Sequence, residues 1–223
     1  CVTATEEIDR AVKLAGFPRV MIATFGDMLR VPGSRSSLQA ERAEGADVRM
    51  VYSTFDALRL AAEHPEKQVV FLGIGFETTA PTVAAAVLEA RRSGVKNFFV
   101  LSAHKLLPPA LEALLAAGDL DLQGFIYPGH VTTVIGTAAY EKVACKYGLP
   151  GVVCGFEPVD ILESILMLVE QIEEGKSRVE IQYKRGASAQ GNAKALQMMY
   201  QVFRTVEASW RGLGTIPDSG LSI

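Results

Sequence analysis

Cysteine is scarce in this chain of 223 residues, which has three cysteines in all. Cys1, Cys145 and Cys154 are too few for a disulfide scaffold, and they lack an intact CxxC or a Cys/His zinc spacing. Cys145 lies in a helical pattern and Cys154 ends an apolar strand pattern, so we expect both to be small core side chains. These absences exclude a disulfide-stapled domain and give no support to a zinc site.

Excess charge of one sign is also lacking. Lys and Arg number 22 and Asp and Glu number 25, and no run of basic residues alternates with aromatic ones. A positively charged groove is what nucleic acid requires, so we expect no nucleic-acid partner.

Long apolar runs and leader signals are absent as well. The longest stretch without Asp, Glu, Lys or Arg, from Leu122 to Tyr140, carries Pro128, Gly129 and His130 at its middle and predicts no membrane span. No basic region followed by an apolar one opens the chain, so we expect a cytoplasmic protein without a membrane partner. Because the sequence begins at Cys1 rather than Met, we expect it to be a fragment or a processed form.

The apolar residues, 49% of the chain, are arranged as in an α/β protein. Short β-rich runs alternate with segments of helical period, which predicts an α/β fold with a mainly parallel sheet. The predicted strands are Val20–Ala23, Val48–Tyr52, Val69–Leu72, Phe98–Leu101, Gly124–Tyr127 and Gly151–Val153.

Two helical segments carry specific expectations. Ser53, followed three residues later by Asp56, resembles a capping box. The longest amphipathic stretch begins at Pro158 and ends at Gly175, and a last helical pattern runs from Ser188 to Val206. The apolar side chains that the longest stretch is expected to bury are Ile161, Leu162, Ile165, Leu168, Val169 and Ile172.

A short internal echo suggests two related halves. The sequences GFET at Gly75 and GFEP at Gly155 both stand where a strand pattern turns into a helix pattern. We therefore predict two packed α/β halves around a cleft. Residues 1–66 are predicted to be part of the first domain, residues 67–175 the second, and residues 176–223 a return segment that packs on the first.

Every distinctive motif follows a predicted strand, where loops of parallel sheets build binding sites. The five motifs are TFGDMLRVPGS (24–34), GFETTAP (75–81), SAHKLLPPA (102–110), YPGHVTTVIG (127–136) and CGFEPVDIL (154–162). Together they are predicted to bring to one rim the polar residues Asp27, Arg30, Glu77, Thr78, Thr79, His104, Lys105, His130 and Glu157.

Simpler interpretations stand beside this one. Asp27 and Glu77 have the position of helix caps, and single histidines without a third ligand are commonly structural. No phosphate-binding glycine pattern of either common type is present. Glu77 and His130 as acid and base would instead indicate a doubly wound enzyme acting on a small molecule.

Longer motifs carry a family resemblance over essentially all 223 residues. TFGDMLRVPG, GADVRMVYS, GFETT, PGHVTTVIGT, GFEPVDIL and WRGLGTIPDSG occur in the order found in the HypD family, which matures nickel-iron hydrogenases. The chain resembles the middle of that family. It lacks the upstream CGGHTH motif, whose cysteine is an iron ligand, and the C-terminal iron-sulfur region.

The resemblance implies roles for individual residues. Cys1 resembles the second cysteine of the family's CPVC pair, which makes it a candidate redox thiol and iron ligand. Where a cysteine often precedes TFGD in the family, Ala23 stands here, so no thiol function is expected at that position. We expect these 223 residues to bind neither the iron unit nor a 4Fe-4S cluster by themselves.

The implied function is an assembly scaffold with redox character instead of a conventional turnover enzyme. With a HypC-type partner it would hold the iron of the Fe(CN)2CO group while cyanide from HypE and carbon monoxide are added, for later use by the hydrogenase large subunit. The polar rim residues other than Lys105 would surround that iron unit. A thiol oxidoreductase using Cys1 is the alternative from another class.

Overall fold

The computed structural model describes residues 2–118 and 120–223 of the chain. Within them the strands are β1 Val20–Thr24, β2 Val48–Met50, β3 Gln68–Gly73, β4 Phe98–Ser102, β5 Phe125–Pro128, β6 Gly151–Cys154, β7 Val179–Ile181, β8 Arg204–Trp210 and β9 Gly214–Ser222. The helices are α1 Thr5–Ala15, α2 Leu38–Ala43, α3 Thr54–Glu63, α4 Ala80–Arg92, α5 Leu107–Ala116, α6 Gly129–Ile135, α7 Ala138–Tyr147, α8 Pro158–Glu173 and α9 Ala193–Val202, with a 3₁₀ helix at Gly26–Arg30.

The chain divides into two compact units. Unit 1 comprises Cys1–Gly75, Thr79–Lys105 and Met198–Ile223, and unit 2 comprises Phe76–Thr78 and Leu106–Gln197. The chain therefore passes between the units more than once.

Unit 1 is built on a parallel sheet of order β2-β1-β3-β4. Strand β1 is buried throughout, as expected for a strand covered on both faces. Ile8 of α1, Ile22 of β1 and Leu72 of β3 are fully buried members of one apolar cluster. The capping box at Ser53 is confirmed, because Ser53 Oγ accepts from Asp56 N at 3.1 Å and Asp56 Oδ2 accepts from Ser53 N at 3.0 Å.

An antiparallel hairpin of β8 and β9 completes unit 1. Trp210 Nε1 donates to Ser219 Oγ at 2.8 Å within it. Arg211 ties the hairpin to the start of the chain, since its backbone N donates to Val2 O at 3.0 Å and its Nε donates to Thr3 O at 2.9 Å. The sequence patterns did not predict this hairpin.

Unit 2 contains a parallel sheet of order β5-β6-β7. Its core includes Leu111, Tyr127, Tyr140 and Val153. The rings of Tyr127 and Tyr140 stack with centroids 3.9 Å apart, and α8 packs against β5 and β6. Both sheets are parallel and alternate with helices, so the predicted α/β class is confirmed.

The predicted domain boundaries differ from the observed division. Strand β3, assigned by the sequence analysis to the second domain within residues 67–175, pairs with β1, and β4 pairs with β3, so both belong to unit 1. Strand β7, assigned to the return segment, pairs with β6 and belongs to unit 2. The return to unit 1 begins at Met198 rather than at residue 176.

The predicted orientation of α8 is wrong. Its buried side chains are polar, namely Asp160, Ser164 and Gln171. The exposed apolar side chains form what we call the α8 apolar face: Val159, Ile161, Leu162, Ile165, Leu166, Val169 and Ile172. Amphipathic period shows that a helix has two faces, but it does not show which face meets the rest of the protein.

Two further outcomes concern the scarce cysteines and the apolar stretch. Cys154 is buried, as expected, whereas Cys145 is exposed on α7, so its predicted core position is wrong. In the described part of the chain, no helix is long and apolar enough to cross a membrane.

Candidate functional site

The predicted site residues are divided between the units. Asp27, Arg30, Thr79, His104 and Lys105 belong to unit 1. Glu77, Thr78, His130 and Glu157 belong to unit 2. Cys1 lies outside the described residues, and the shared cleft remains a prediction.

Glu77 is a buried acid in unit 2, with an exposed fraction of 2%. Its Oε1 accepts from the backbone N of Leu107, the first residue of α5, at 3.0 Å. Glu77 therefore caps a helix, as the simpler interpretation holds, but the helix is 30 residues further along the chain. Its Oε2 is buried and has no hydrogen-bond partner among the described residues.

Burial raises the pKa of Glu77 to about 7, even though backbone hydrogen bonds to the carboxylate act in the opposite direction. A carboxyl group with that pKa exchanges its proton near neutral pH, which suits an acid or base. The pKa of the neighbouring Tyr140 phenol is raised chiefly by burial, and the charge of Glu77 acts on it in the same direction.

The two threonines of GFETT have different surroundings. Thr79 Oγ1 donates to Ile74 O at 2.8 Å and closes the turn after β3. Gly75 in this turn has φ of +107°, and a Cβ there would lie 2.4 Å from Thr79 Oγ1, so the turn requires glycine. Thr78 is half-buried.

His104 is a buried imidazole in unit 1 with an exposed fraction of 1%. Ser102 Oγ donates to Leu221 O at 2.7 Å, so it accepts from His104 Nδ1, which lies 3.0 Å away. This pattern assigns the proton to Nδ1 and leaves a lone pair on Nε2, which has no partner among the described residues. Burial, followed by the charge of Lys105, lowers the pKa of His104 to about 4.

Lys105 forms a buried ion pair that the sequence patterns did not reveal. Its Nζ lies 2.6 Å from Oε1 of Glu7, and Glu7 Oε2 accepts from the backbone N of Ala4 at 2.9 Å. Glu7 stands 98 residues from Lys105 in the chain, in the first turn of α1. Local motifs carry no signal for a pair at that separation.

Asp27 and Arg30 are exposed side chains on the 3₁₀ helix. Met28 between them is buried and anchors the turn. The N-cap position belongs to Phe25, so Asp27 does not cap this helix. Both charged groups are open to solvent or to a bound molecule.

His130 is exposed at the start of α6 and lies among aromatic rings. The ring of Phe156, from the GFEP turn, lies 4.2 Å from the His130 ring between centroids. The ring of Tyr183 lies 6.0 Å away at an angle of 67°. Two predicted motifs of unit 2, YPGH and GFEP, are thus brought into contact.

Glu157 is an exposed residue at the N-cap of α8, and its Oε2 lies 3.9 Å from Arg185. Arg185 instead makes a two-pronged contact with the buried Asp160, with Nη1 to Oδ1 at 2.7 Å. Hydrogen bonds from Arg185 and Gln182 hold the pKa of Asp160 well below its usual range. The sequence analysis included Asp160 only within the GFEP motif and missed Arg185.

Metal ligands are not grouped in the described residues. No cluster of three or more His, Cys, Asp or Glu side chains able to hold a metal ion occurs there. Three cysteines cannot supply the four thiolates of a 4Fe-4S cluster. The residues of this chain therefore do not fit that cofactor. No described contact joins Glu77 to His130 as the acid-base pair of the small-molecule alternative.

Comparison with known proteins gives the family. The HypD model, described as "Hydrogenase formation hypA family", matches residues 1–223. A hydrogenase expression/formation protein HupD from Azotobacter chroococcum mcd 1 is 50% identical over 230 residues, which cover 100% of this chain and 61% of that protein.

Two further relatives agree with this match. The hydrogenase maturation factor HypD of Azotobacter vinelandii is 49% identical over 100% of this chain and 61% of its own length. That of Escherichia coli (strain K12) is 46% identical over 100% of this chain and 60% of its own length. The chain thus spans about three fifths of the length of these relatives. The family match over the whole chain, with the motif order described above, shows that this chain belongs to the HypD family.

Proposed function

We propose that the protein is a hydrogenase maturation factor that acts as an assembly scaffold. Together with a HypC-type partner, it holds the iron of the Fe(CN)2CO group while cyanide, received from HypE, and carbon monoxide are added. The names of the relatives support the general role in hydrogenase maturation. The scaffold and its partners are our inference.

The α8 apolar face is the observation that carries this proposal. Leu162 and Leu166 are 67% and 58% exposed, and Val159 is 64% exposed. Contiguous apolar surface of this kind is characteristic of sites where another protein binds. A scaffold needs such a surface, whereas an enzyme for a small substrate does not.

The spacing of the exposed side chains suggests the form of the partner surface. Val159, Leu162, Leu166 and Val169 follow one another at intervals of three, four and three residues, which is the seam of a helix that pairs with another helix.

The charges beside that seam are acidic. Glu163 and Glu170 are exposed next to it, and α8 contains no Lys or Arg. We therefore expect the HypC-type partner to present an apolar helix or ridge with basic side chains along its edge.

Titration calorimetry of the full-length protein with its HypC-type partner tests the proposal. The double variant Leu162→Glu, Leu166→Glu should weaken binding at least about tenfold, because charges would then be buried in the interface. Leu213→Glu is the matched control, since Leu213 is 45% exposed in the hairpin of unit 1. Unchanged affinity of the double variant would contradict the proposed surface.

The buried acid suggests how the scaffold could act on its cargo. An iron unit with cyanide ligands needs hydrogen-bond donors at the cyanide nitrogens and a route for protons. Glu77, with a pKa of about 7, can supply a proton at neutral pH. His104, with a pKa of about 4, stays neutral at that pH, and its Nε2 lone pair can accept a hydrogen bond.

A further inference from the structure

The Tyr183 ring packs closely against three glycines in unit 2, which we call the glycine seat. The ring lies so close to Gly129, Gly155 and Gly186 that an added Cβ would be 2.7, 2.8 and 2.4 Å from it, respectively. None of the three has a positive φ, so space and not backbone conformation requires glycine at these positions. The glycines come from the YPGH turn, the GFEP turn and the segment after β7.

A set of polar side chains, which we call the brace, also contacts Tyr183. The Arg185 guanidinium lies 4.7 Å from the centre of the Tyr183 ring, within range of a cation-π contact. Arg185 is fixed by Asp160, which is itself only 4% exposed and accepts from Gln182 Nε2 at 2.9 Å. The brace continues to Gly155, whose backbone N donates to Gln182 Oε1 at 3.3 Å.

The Tyr183 ring also contacts the ring of His130. Although His130 is exposed, no hydrogen bond to its ring is found in residues 2–118 and 120–223, so its orientation depends on the aromatic contacts with Phe156 and Tyr183. Phe156 is itself 57% exposed. The Tyr183 ring, which packs against three glycines and Arg185, is the more tightly enclosed of the two rings.

We propose that Tyr183, braced by Arg185 and Asp160, is a positioning residue that fixes the orientation of the His130 imidazole. Only the role of His130 in hydrogenase maturation rests on the proposed function. The positioning itself follows from the glycine seat and the brace. A residue of this kind acts through its ring, so its hydroxyl should be dispensable.

Nuclear magnetic resonance of the His130 ring protons in the full chain measures the positioning directly. A His130→Gln variant identifies the resonance, which is displaced by the ring currents of Phe156 and Tyr183. Tyr183→Leu removes one of these ring currents and therefore moves the resonance whether or not His130 turns, so the deciding variant is Arg185→Gln, which keeps both rings. Tyr183→Phe, which also keeps them, should leave the resonance in place. Hydrogenase maturation in a strain lacking the native factor should fall about tenfold or more in Tyr183→Leu and stay intact in Tyr183→Phe.

Three further variants protect the test from misfolding. Arg185→Gln removes half of the brace from a half-exposed position and should move the same resonance. Gly129→Ala should also move it, because a Cβ there would lie 2.7 Å from the Tyr183 ring and 2.5 Å from the backbone oxygen of Cys154. Gly16→Ala should not, because a Cβ at Gly16 meets only Lys13 O at 3.5 Å.

An unmoved His130 resonance in Arg185→Gln, which keeps both aromatic rings, would overturn the proposal. If the resonance moves while maturation stays intact, the positioning is supported. The role of His130 in the proposed function is then contradicted.

Discussion

Burial decides which of the predicted site residues have unusual acid-base properties. Glu77 and His104 are almost fully buried, and their pKa values are shifted to about 7 and about 4. Glu157 has the same motif context as Glu77 in the GFEP echo, yet it is exposed. The echo in sequence therefore does not extend to the chemistry of the two acids.

The pH dependence of stability should reveal Glu77. Between pH 4.5 and about 7 the unfolded chain ionises this carboxyl group while the folded chain keeps it protonated, so the free energy of unfolding falls as pH rises. The loss amounts to about 3 kcal/mol at 1.36 kcal/mol per pKa unit. We expect urea unfolding to show that the free energy of unfolding of Glu77→Gln, relative to that of the unmodified protein, is higher at pH 8 than at pH 5. A constant difference would show that Glu77 is ionised in the folded protein.

Maturation should separate the two acids of the echo. Glu77→Gln removes the exchangeable proton while keeping the capping contact with Leu107 N, so it should abolish hydrogenase maturation in a protein that folds normally. Glu157→Gln is the matched control and should keep full activity, because Glu157 is exposed at a helix start. Hydrogenase activity in a strain lacking the native factor is the measurement. Full activity of Glu77→Gln would show that Glu77 acts only as a helix cap.

His104 should produce the opposite pH dependence. Its pKa of about 4 lies below the ordinary 6.5, so as pH falls from 6.5 to 4 the unfolded chain takes up a proton that the folded chain refuses. The free energy of unfolding should drop by about 3 kcal/mol over this range because of His104. Comparison of His104→Gln with the unmodified protein by urea unfolding at pH 7 and pH 4.5 measures it. Equal acid sensitivity of the two would contradict the buried neutral imidazole.

At the scale of elements, α8 is unusual because its polar side chains are buried and its apolar side chains are exposed. Asp160, Ser164 and Gln171 are buried, and Gln171 Oε1 accepts from Arg178 N at 3.2 Å. The polar residues thus connect α8 to its own unit, and the apolar residues are left for something else. Local period could not distinguish this arrangement from an ordinary amphipathic helix.

Stability measurements should confirm that the α8 apolar face contributes little to folding. Leu162→Ser, at a side chain that is 67% exposed, should change the free energy of unfolding by no more than about 0.5 kcal/mol. Leu72→Ala, at a fully buried side chain of β3, should cost about 2–5 kcal/mol. Chemical unfolding of both variants makes the comparison. A large loss for Leu162→Ser would mean that α8 packs against the protein through this face.

At the scale of the whole molecule, the elements could be predicted from sequence better than their assembly. All six predicted strands are present, because the strands of a parallel sheet are short apolar runs. The division into units was missed, since strand pairing between β1, β3 and β4 is nonlocal. The hairpin of β8 and β9 was missed because its strands are only partly buried and carry no clear alternation.

The candidate site shows the same limit. The motifs indicated Glu77, His104 and His130 as candidate site residues, and their place in one site stays a prediction. The groups that define those surroundings lie far along the chain, such as Leu107 for Glu77 and Leu221 for His104. Tyr183 and Arg185 belong to no predicted motif, and only the folded chain brings Tyr183 to His130 and Arg185 to Tyr183.

Infrared spectroscopy of the full-length protein purified with its HypC-type partner tests the scaffold most directly, since cyanide and carbonyl stretches identify the cargo. The unmodified complex should show both kinds of band. The Leu162→Glu, Leu166→Glu variant should lose the partner and the bands together, and Leu213→Glu should keep both. A complex without these bands, or a double variant that keeps them without the partner, would contradict a scaffold shared between this protein and a HypC-type partner.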